Sequence, residues 1–367
     1  MLASCSAQLA WPARCRSARR RTRVTCASGG ESARLLSRRE LALGGALLST
    51  VAAPRSTLAA EDAAPGAGRL ALVTGANTGI GFETARGLAA RGYTVMLACR
   101  SLDKANATAA TLRAESPTAQ FLVLDEPLEL SDLRSVDSFA QSVRRTGKPL
   151  SLLINNAGIM AAPLGATAQG HECHFGVNHL GHYALTLALL EPLRAAPTAA
   201  RVVNVSSIAA YGDSLVLDDL DWKKRDYGPW NAYFASKLSN VLFTNELASR
   251  EPGLVVHAVH PGVVDTELAR YILPPDVLEK RRADPGKSAA LARLLGLRSP
   301  VQGAVASLWV ATDAAAGACT GKFWLDAAQE APAFARPGGG EAGRRRAAEL
   351  WARSEEFLTD ARRGRVV

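Results

Sequence analysis

The sequence has few cysteines and, beyond its first sixty residues, almost no net charge. Three of the six cysteines, Cys99, Cys173 and Cys319, lie after residue 60, and their scatter matches neither a zinc site nor a disulfide framework. Residues 1–60 hold ten arginines and two acids, so they carry +8 of the formal charge of +9 and leave +1 for the other 307 residues. A nearly neutral body gives no electrostatic basis for nucleic-acid binding. We therefore expect neither a nucleic-acid partner nor a metal site.

Residues 1–60 predict targeting signals. The first thirty contain six arginines and no acid among many Ala, Ser and Thr residues, which is typical of a plastid or mitochondrial transit peptide. Arg38 and Arg39 then precede a mostly apolar run over 41–53, as in a twin-arginine signal. That run is shorter than the about 20 residues of a membrane-spanning helix. We expect a chloroplast transit peptide plus a twin-arginine-like signal over 1–60, followed by a linker over 61–68.

The cleavage point would decide where in the chloroplast the protein works. Small residues at 58–60 offer a second cleavage point, which would place the mature chain in the thylakoid lumen. If 1–60 is instead one long transit peptide with a chance Arg-Arg pair, the location is the stroma. An uncleaved segment would tether the body to a membrane. The sequence leaves these alternatives open.

Seven short apolar runs alternate with helical patterns from Arg69 onward. The runs cover residues 70–73, 94–99, 121–124, 150–154, 201–205, 254–259 and 322–325. This alternation predicts an α/β fold, a single doubly wound (Rossmann-type) parallel sheet of about seven strands with helices on both faces. A loop is expected over 336–345 and a short helix over 346–358. No internal repeat and no apolar run long enough to cross a bilayer follows residue 60.

A glycine-rich turn joins the first predicted strand to the first predicted helix. Gly75 would permit the tight turn, Gly79 would let the backbone approach a pyrophosphate, and Gly81 would let helix and strand pack closely. The free N–H groups at the helix N-terminus also favour phosphate. We expect a dinucleotide to contact these residues of the turn: Gly75, Asn77, Thr78, Gly79, Ile80 and Gly81. The alternative is a glycine-rich turn with no ligand.

Arg100 follows the second predicted strand, where the adenosine ribose should lie. A guanidinium there suits a 2′-phosphate, whereas an acid would suit a 2′-hydroxyl. We therefore expect NADP(H) in preference to NAD(H), with Ser101 and Lys104 as further candidates for contact. The alternative is a solvated arginine at the start of a helix.

An acid after the third predicted strand should face the adenine, and two residues compete for this position. Asp125 and Glu129 both follow the strand within a few residues. Glu129 is favoured, because residues 130–132 have the pattern that opens a helix.

Tyr233 and Lys237 are four residues apart, so they lie on one face of a predicted helix. A fixed ammonium would lower the pKa of a tyrosine below its usual value of about 10, although such a spacing alone more often marks an ordinary surface pair. Ser207 follows the fifth strand, at the edge of the sheet where open α/β folds bind ligands. Asn178 lies in a segment crowded with histidines that lacks the His-Glu-x-x-His spacing of a zinc site.

Five motifs now occur in one order along the chain. They are residues 74–81, residues 155–158, Asn178, the serine pair 206–207, and Tyr233 with Lys237, closed by residues 261–266. This order resembles the short-chain dehydrogenase/reductase superfamily over about residues 69–360. The strings Val-Asn-His-Leu-Gly-His at 177–182 and Ser-Lys-Leu-Ser-Asn-Val-Leu-Phe at 236–243 are similar to its retinol-dehydrogenase-like branch, which includes protochlorophyllide reductases.

The resemblance implies roles for four catalytic residues. Tyr233 would be the general acid or base at the substrate oxygen, and Lys237 would lower its pKa and bind the nicotinamide ribose. Ser207 would hydrogen-bond the substrate oxygen, and Asn178 would position a water in a proton relay. The resemblance implies further cofactor contacts at Asn156, Ala157, Gly158, Pro261, Gly262, Val264 and Thr266.

The resemblance also implies an NADP(H)-dependent oxidoreductase that moves hydride between the nicotinamide and a carbonyl or alcohol of a hydrophobic small molecule, retinoid- or apocarotenoid-like. Segments 208–232 and 267–299 are expected to form a wall and a mobile lid of the substrate site. One alternative is an NADP(H)-sensing scaffold of a plastid membrane complex. Another is a protochlorophyllide reductase, which the lack of a cysteine between Ser207 and Tyr233 disfavours. Membrane association and oligomeric state stay open.

The mature N-terminus tests the targeting prediction. We expect import into isolated chloroplasts to remove at least residues 1–30, with N-terminal sequencing locating the cut. A terminus near Ala60 supports the lumen and a terminus near residue 30 the stroma. A chain that is not imported, and that keeps residues 1–30, would contradict a plastid location.

Overall fold

The computed structural model describes residues 66–331 and 338–366. The predicted transit peptide and twin-arginine-like signal over 1–60, and residues 61–65 of the predicted linker, lie outside the described residues. So do residues 332–337, which include the start of the loop expected over 336–345. Within the described ranges, no helix is long and apolar enough to span a bilayer.

In the described part of the chain, eight strands form one sheet: β1 (Leu70–Thr74), β2 (Thr94–Ala98), β3 (Phe121–Leu122), β4 (Leu150–Asn155), β5 (Arg201–Val205), β6 (Val255–Val259), β7 (Lys322–Asp326) and β8 (Gln329–Glu330). Their order across the sheet is β3-β2-β1-β4-β5-β6-β7-β8. Neighbours pair in parallel except β8, which is antiparallel to β7. The predicted doubly wound sheet is confirmed. The expected number of about seven strands omits β8, whose two residues are too few to show a pattern.

The described residues also form eleven α-helices: α1 (Gly79–Ala89), α2 (Leu102–Glu115), α3 (Leu133–Arg145), α4 (Gly181–Ala188), α5 (Leu190–Arg194), α6 (Pro229–Arg250), α7 (Pro275–Ala283), α8 (Pro285–Leu294), α9 (Pro300–Thr312), α10 (Ala314–Gly317) and α11 (Gly340–Arg362). A π-helical turn, Phe175–Leu180, precedes α4, and 3-10 turns cover Ile208–Gly212, Leu217–Asp219 and Glu267–Tyr271. Buried side chains of α3, α4, α6 and α11 cover one face of the sheet, and those of α1, α2 and α9 cover the other.

β1 illustrates why a continuous apolar run forms a central strand. Leu70 and Leu72 belong to the core on one face, whereas Ala71 and Val73 belong to the core on the other. Successive side chains of a strand point to opposite faces, so a strand covered on both sides needs an apolar residue at every position. The polar residues that follow such strands therefore collect at the carboxyl edge of the sheet, where the predicted motifs lie.

The last helix is longer than the sequence predicts. α11 begins at Gly340 and ends at Arg362, so part of the expected loop over 336–345 is helical and the helix extends beyond the expected range of 346–358. Glycines favour turns locally, but Ala347, Leu350 and Trp351 are buried in the same core as α6. This tertiary packing overrides the weak local propensity.

Candidate active site

Tyr233 and Lys237 are both buried in the interior, each 5 % exposed, on the same face of α6. The Lys237 ammonium donates a hydrogen bond to the carbonyl oxygen of Val205 at 2.9 Å. Its nitrogen lies 5.7 Å from the centroid of the Tyr233 ring. Burial lowers the pKa of Lys237 from 10.5 to about 8. This pair is not an ordinary surface pair.

The pKa of Tyr233 differs from the expectation. Burial raises it from 10.0 to about 12, and a hydrogen bond with the Ser207 side chain opposes that rise. The expected net lowering of the Tyr233 pKa does not occur in this arrangement, because burial outweighs the effect of the ammonium, which donates to the Val205 carbonyl. Tyr233 is therefore protonated at neutral pH and can donate a proton.

The two serines after β5 have different partners. Ser206 donates from Oγ to the Lys237 carbonyl oxygen at 2.7 Å, which fixes α6 against the end of β5. Ser207 accepts at Oγ from the Ala209 N–H at 3.1 Å and also hydrogen-bonds with Tyr233. The second serine of the pair is thus the one beside the tyrosine hydroxyl.

Asn178 lies in the π-helical turn and is completely buried. Its Oδ1 accepts from the Ile159 N–H at 2.8 Å, and its Nδ2 donates to the Ile159 carbonyl at 3.0 Å and to Ser236 Oγ at 2.9 Å. The side chain therefore fastens the segment after β4 to α6. The water relay implied by the resemblance stays a prediction.

His182 and Thr74 continue this buried network, and the sequence does not single out either residue. His182 donates from Nδ1 to the Asn178 carbonyl at 3.1 Å, and its Nε2 lies 2.9 Å from Thr74 Oγ1. Thr74 Oγ1 accepts from the N–H groups of Asn156 and Ala157 at 2.9 and 3.0 Å. Burial lowers the pKa of His182 to about 4, so the ring is neutral. The four-residue spacing from Asn178, which puts both residues on one helix face, is the sequence signal that could identify this histidine.

The glycine turn has the geometry of a phosphate cradle. Gly75 and Gly79 adopt left-handed conformations, with φ of +64° and +57°. A Cβ at Gly81 would lie 2.2 Å from the Gly75 oxygen. Thr78 precedes α1, and its side chain accepts no hydrogen bond from the first N–H groups of the helix. These residues fit the pyrophosphate of a dinucleotide.

Arg100 and Glu129 lie together in the cleft, at the position where the sequence predicts the adenosine. The Arg100 side chain is 78 % exposed, and its Nε is 3.7 Å from Glu129 Oε2. Glu129 Oε1 is held by the backbone N–H and the hydroxyl of Ser131, at 3.0 and 2.7 Å. Glu129 lines the cleft, whereas Asp125 is exposed and is not part of its lining. A 2′-phosphate would therefore compete with Glu129 for Arg100.

Residues 261–266 contact the glycine turn through Thr266. The Thr266 methyl lies 3.1 Å from where a Cβ would stand on Gly79. Thr266 lines the cleft, but Pro261, Gly262 and Val264 do not belong to its lining. Of the cofactor contacts implied for this segment, Thr266 is thus the one that the structure places at the glycine turn.

A cleft of about 870 Å³ is lined by the glycine turn, Arg100, Glu129 and Thr266, and its lining includes none of the expected catalytic residues Asn178, Ser207, Tyr233 and Lys237. Twelve of the residues expected to bind the cofactor line it: Gly75, Asn77, Thr78, Gly79, Ile80, Gly81, Arg100, Glu129, Asn156, Ala157, Gly158 and Thr266. Gly158 adjoins the buried pair, because a Cβ there would lie 3.7 Å from Lys237 Nζ. The lining also contains four residues of the segment 267–299, which the sequence analysis expects as a lid but in which it singles out no residue: Glu267, Leu268, Arg270 and Arg282.

The histidines near the π-helical turn have protein partners. These are Asp221 for His171, Glu172 for His174 and Ser354 for His179. Among the residues that the structure describes, no group of three or more His, Cys, Asp or Glu side chains is arranged to hold a metal ion. The histidines serve the packing of this region.

Exposed apolar side chains lie in both segments that are expected to border the substrate site. The Trp230 ring lies 6.4 Å from the Tyr233 ring and is 44 % exposed. Ile208 and Tyr211, in the segment expected to form a wall, are also exposed. The expected lid over 267–299 contains α7 and α8, and α8 carries the exposed Leu291 and Leu294.

Comparisons with known proteins identify the family. Residues 69–276 match the short chain dehydrogenase family. The chain belongs to the short chain dehydrogenases. It is 49% identical over 206 residues to human retinol dehydrogenase 12, which is 56% of this chain and 64% of that relative. It is 36% identical over 309 residues to human retinol dehydrogenase 14, covering 79% and 89% of the two chains. The match to retinol dehydrogenase 12 thus spans less than two thirds of that protein.

Solved structures give the same fold. An uncharacterized protein of Mycobacterium paratuberculosis superposes with a TM-score of 0.60 at 36% identity, over 80% of this chain and 94% of that one. The Pseudomonas aeruginosa RhlG/NADP active-site complex superposes with a TM-score of 0.53 at 27% identity, over 71% and 96%. The retinol-dehydrogenase-like resemblance carried by the motifs is confirmed.

Gly81→Ala tests the cradle. The added Cβ would meet the Gly75 backbone oxygen, so the turn must shift, and we expect NADPH affinity to fall about tenfold or more. Gly253→Ala is the matched control, since a Cβ there meets nothing within 4 Å. Fluorescence titration with NADPH measures both variants, and equal affinity in the two would contradict the cradle.

Proposed function

We propose that this short chain dehydrogenase is an NADP(H)-dependent oxidoreductase that transfers hydride between the nicotinamide and a carbonyl or alcohol of a hydrophobic small molecule. The observation that carries the proposal is the burial of Tyr233 and Lys237 beside Ser207, next to a cleft whose glycine turn fits a dinucleotide. A bound NADPH would supply the hydride.

Side chains of the protein itself would donate the proton and bind the substrate oxygen. Tyr233, protonated at neutral pH, donates its proton to the carbonyl oxygen, while the Ser207 hydroxyl hydrogen-bonds that same oxygen. Lys237 carries its charge below about pH 8 and favours the phenolate that remains. In the reverse direction the phenolate takes the proton from an alcohol.

The exposed apolar surface of the expected wall supports a hydrophobic substrate. Ile208, Tyr211 and Trp230 present large, mainly apolar side chains there, which favour an apolar ligand. The relatives named retinol dehydrogenase 12 and 14 support a retinoid-like molecule, and an apocarotenoid aldehyde has the same character. We propose NADP(H) over NAD(H) because Arg100 presents an exposed guanidinium at the adenosine end of the cleft.

Tyr233→Phe tests the proton donor. Removing the hydroxyl should reduce kcat by about 10²–10⁴-fold, the usual contribution of a general acid, with NADPH affinity nearly unchanged. Tyr183→Phe is the matched control, because Tyr183 is a fully buried tyrosine whose hydroxyl has no hydrogen-bond partner. Equal turnover by Tyr233→Phe and the wild type on a retinal-like aldehyde would rule out the assignment. NADPH binding without turnover of any retinoid, apocarotenoid or quinone would favour the sensing scaffold.

The pH profile reports on Lys237. In the reductive direction kcat/KM should be level below about pH 8 and then fall about tenfold per unit, as the lysine loses the proton that supports Tyr233. The rate is measured at 340 nm between about pH 6 and 10 with both substrates limiting. A profile that stays level to about pH 10 would show that the charge on Lys237 is not required.

Arg100→Ala tests the cofactor preference. Losing the guanidinium should lower the ratio of kcat/KM for NADPH over NADH by about 10–100-fold, since a charge-assisted contact to phosphate is lost. Arg134→Ala removes an equally exposed arginine, paired with Asp132 and absent from the cleft lining, and should leave the ratio unchanged. An equal loss for both cofactors in Arg100→Ala would argue against a 2′-phosphate contact.

A further inference from the structure

Two carboxylates flank the threonine that lies against the glycine turn. Asp265 and Glu267 precede and follow Thr266, whose methyl is 3.1 Å from the Cβ position on Gly79. Glu267 lines the same cleft as Thr266. An unpaired carboxylate there would repel the pyrophosphate of a dinucleotide bound at the turn.

α7 supplies two consecutive arginines, one for each of these carboxylates. Arg281 forms an ion pair with Asp265 and is 27 % exposed. The Nη2 of Arg282 lies 2.9 Å from Glu267 Oε2, and its side chain is 64 % exposed. Only the second arginine of the pair belongs to the cleft lining. The two arginines therefore have different surroundings although both neutralise an acid.

Arg282 has donors to spare for a second anion. A guanidinium carries five N–H groups in a planar fork, and a single contact with Glu267 Oε2 occupies one side of it. Arg270 lines the same cleft and donates to the Glu267 carbonyl oxygen at 3.3 Å, so a second cation stands nearby. Two arginines thus line the same cleft as the first residues of α1.

We infer that Arg282 binds the pyrophosphate of the dinucleotide from the lid side, opposite the glycine turn, while it remains paired with Glu267. The inference rests on the proposed function, because it requires a dinucleotide in the cleft. Such a contact would connect α7 directly to the bound cofactor and hold the lid over it. Since both NADP(H) and NAD(H) contain a pyrophosphate, Arg282 would serve each of them equally, in contrast to Arg100.

Titration of the full chain with NADPH and NADH tests this contact. Arg282→Ala should weaken the binding of both by the same factor, about tenfold. Lys280→Ala is the matched control, because Lys280 lies on the same helix, pairs with Asp276 at 3.5 Å and is not part of the cleft lining. It should change either affinity by less than about twofold.

The Glu267→Gln background separates direct contact from charge neutralisation. If Arg282 touches the phosphates, Glu267→Gln with Arg282→Ala binds NADPH about tenfold more weakly than Glu267→Gln alone. Equal affinity of these two proteins would mean that Arg282 only neutralises Glu267, and it would overturn the inference. A loss confined to NADPH would overturn it too, since it would indicate a 2′-phosphate contact.

The same titration distinguishes failure of this inference from failure of the proposed function. A wild-type chain that binds neither NADPH nor NADH would overturn both. If the wild type binds NADPH and Arg282→Ala binds it equally tightly, the contact of Arg282 with the pyrophosphate is overturned and the proposed function is not.

Discussion

The Lys237 ammonium is buried at the carboxyl edge of the sheet, so the surrounding elements must supply a hydrogen-bond acceptor for it there. An ionised group in the interior is costly unless it is hydrogen-bonded, and the Val205 carbonyl at the end of β5 accepts its bond. Ser206 ties the Lys237 backbone to the same strand end, and Asn178 ties α6 to the segment after β4. Each bond that supports the lysine also places Tyr233 against Ser207. The arrangement of Tyr233, Lys237 and Ser207 thus depends on how α6 is anchored to the sheet.

The parts of the site that the sequence predicts are those encoded locally. Gly75, Gly79 and Gly81 are recognisable because a turn after a buried strand needs them within seven residues, and Tyr233 and Lys237 because one helical turn separates them. The Thr74–His182 contact joins residues 108 positions apart, so no local pattern reveals it. The raised pKa of Tyr233 likewise comes from the burial that the whole fold creates. The bounds of α11 differ from the predicted range for the same reason, since packing against α6, and not the glycine-rich start of the helix, determines them.

Paired charge is the common feature of the two regions where phosphate would lie. Arg100 is paired with Glu129 and Arg282 with Glu267, and all four residues line the cleft. An arginine held next to a carboxylate keeps its orientation while offering further donors to an anion. This arrangement agrees with a body that carries only +1 over 307 residues. Attraction for a dinucleotide would then be local to the cleft rather than a property of the whole surface.

If the buried tyrosine serves a hydride transfer at the adjoining cleft, deuterium must pass from the cofactor to the substrate. Reduction of a retinoid or apocarotenoid aldehyde with NADPH deuterated at both C4 positions measures this transfer, with the product examined by mass spectrometry. We expect one deuterium on the carbinol carbon of the alcohol and a hydroxyl proton that exchanges with solvent. An alcohol without deuterium, or no reduction of any such aldehyde by a protein that binds NADPH, would contradict this hydride transfer.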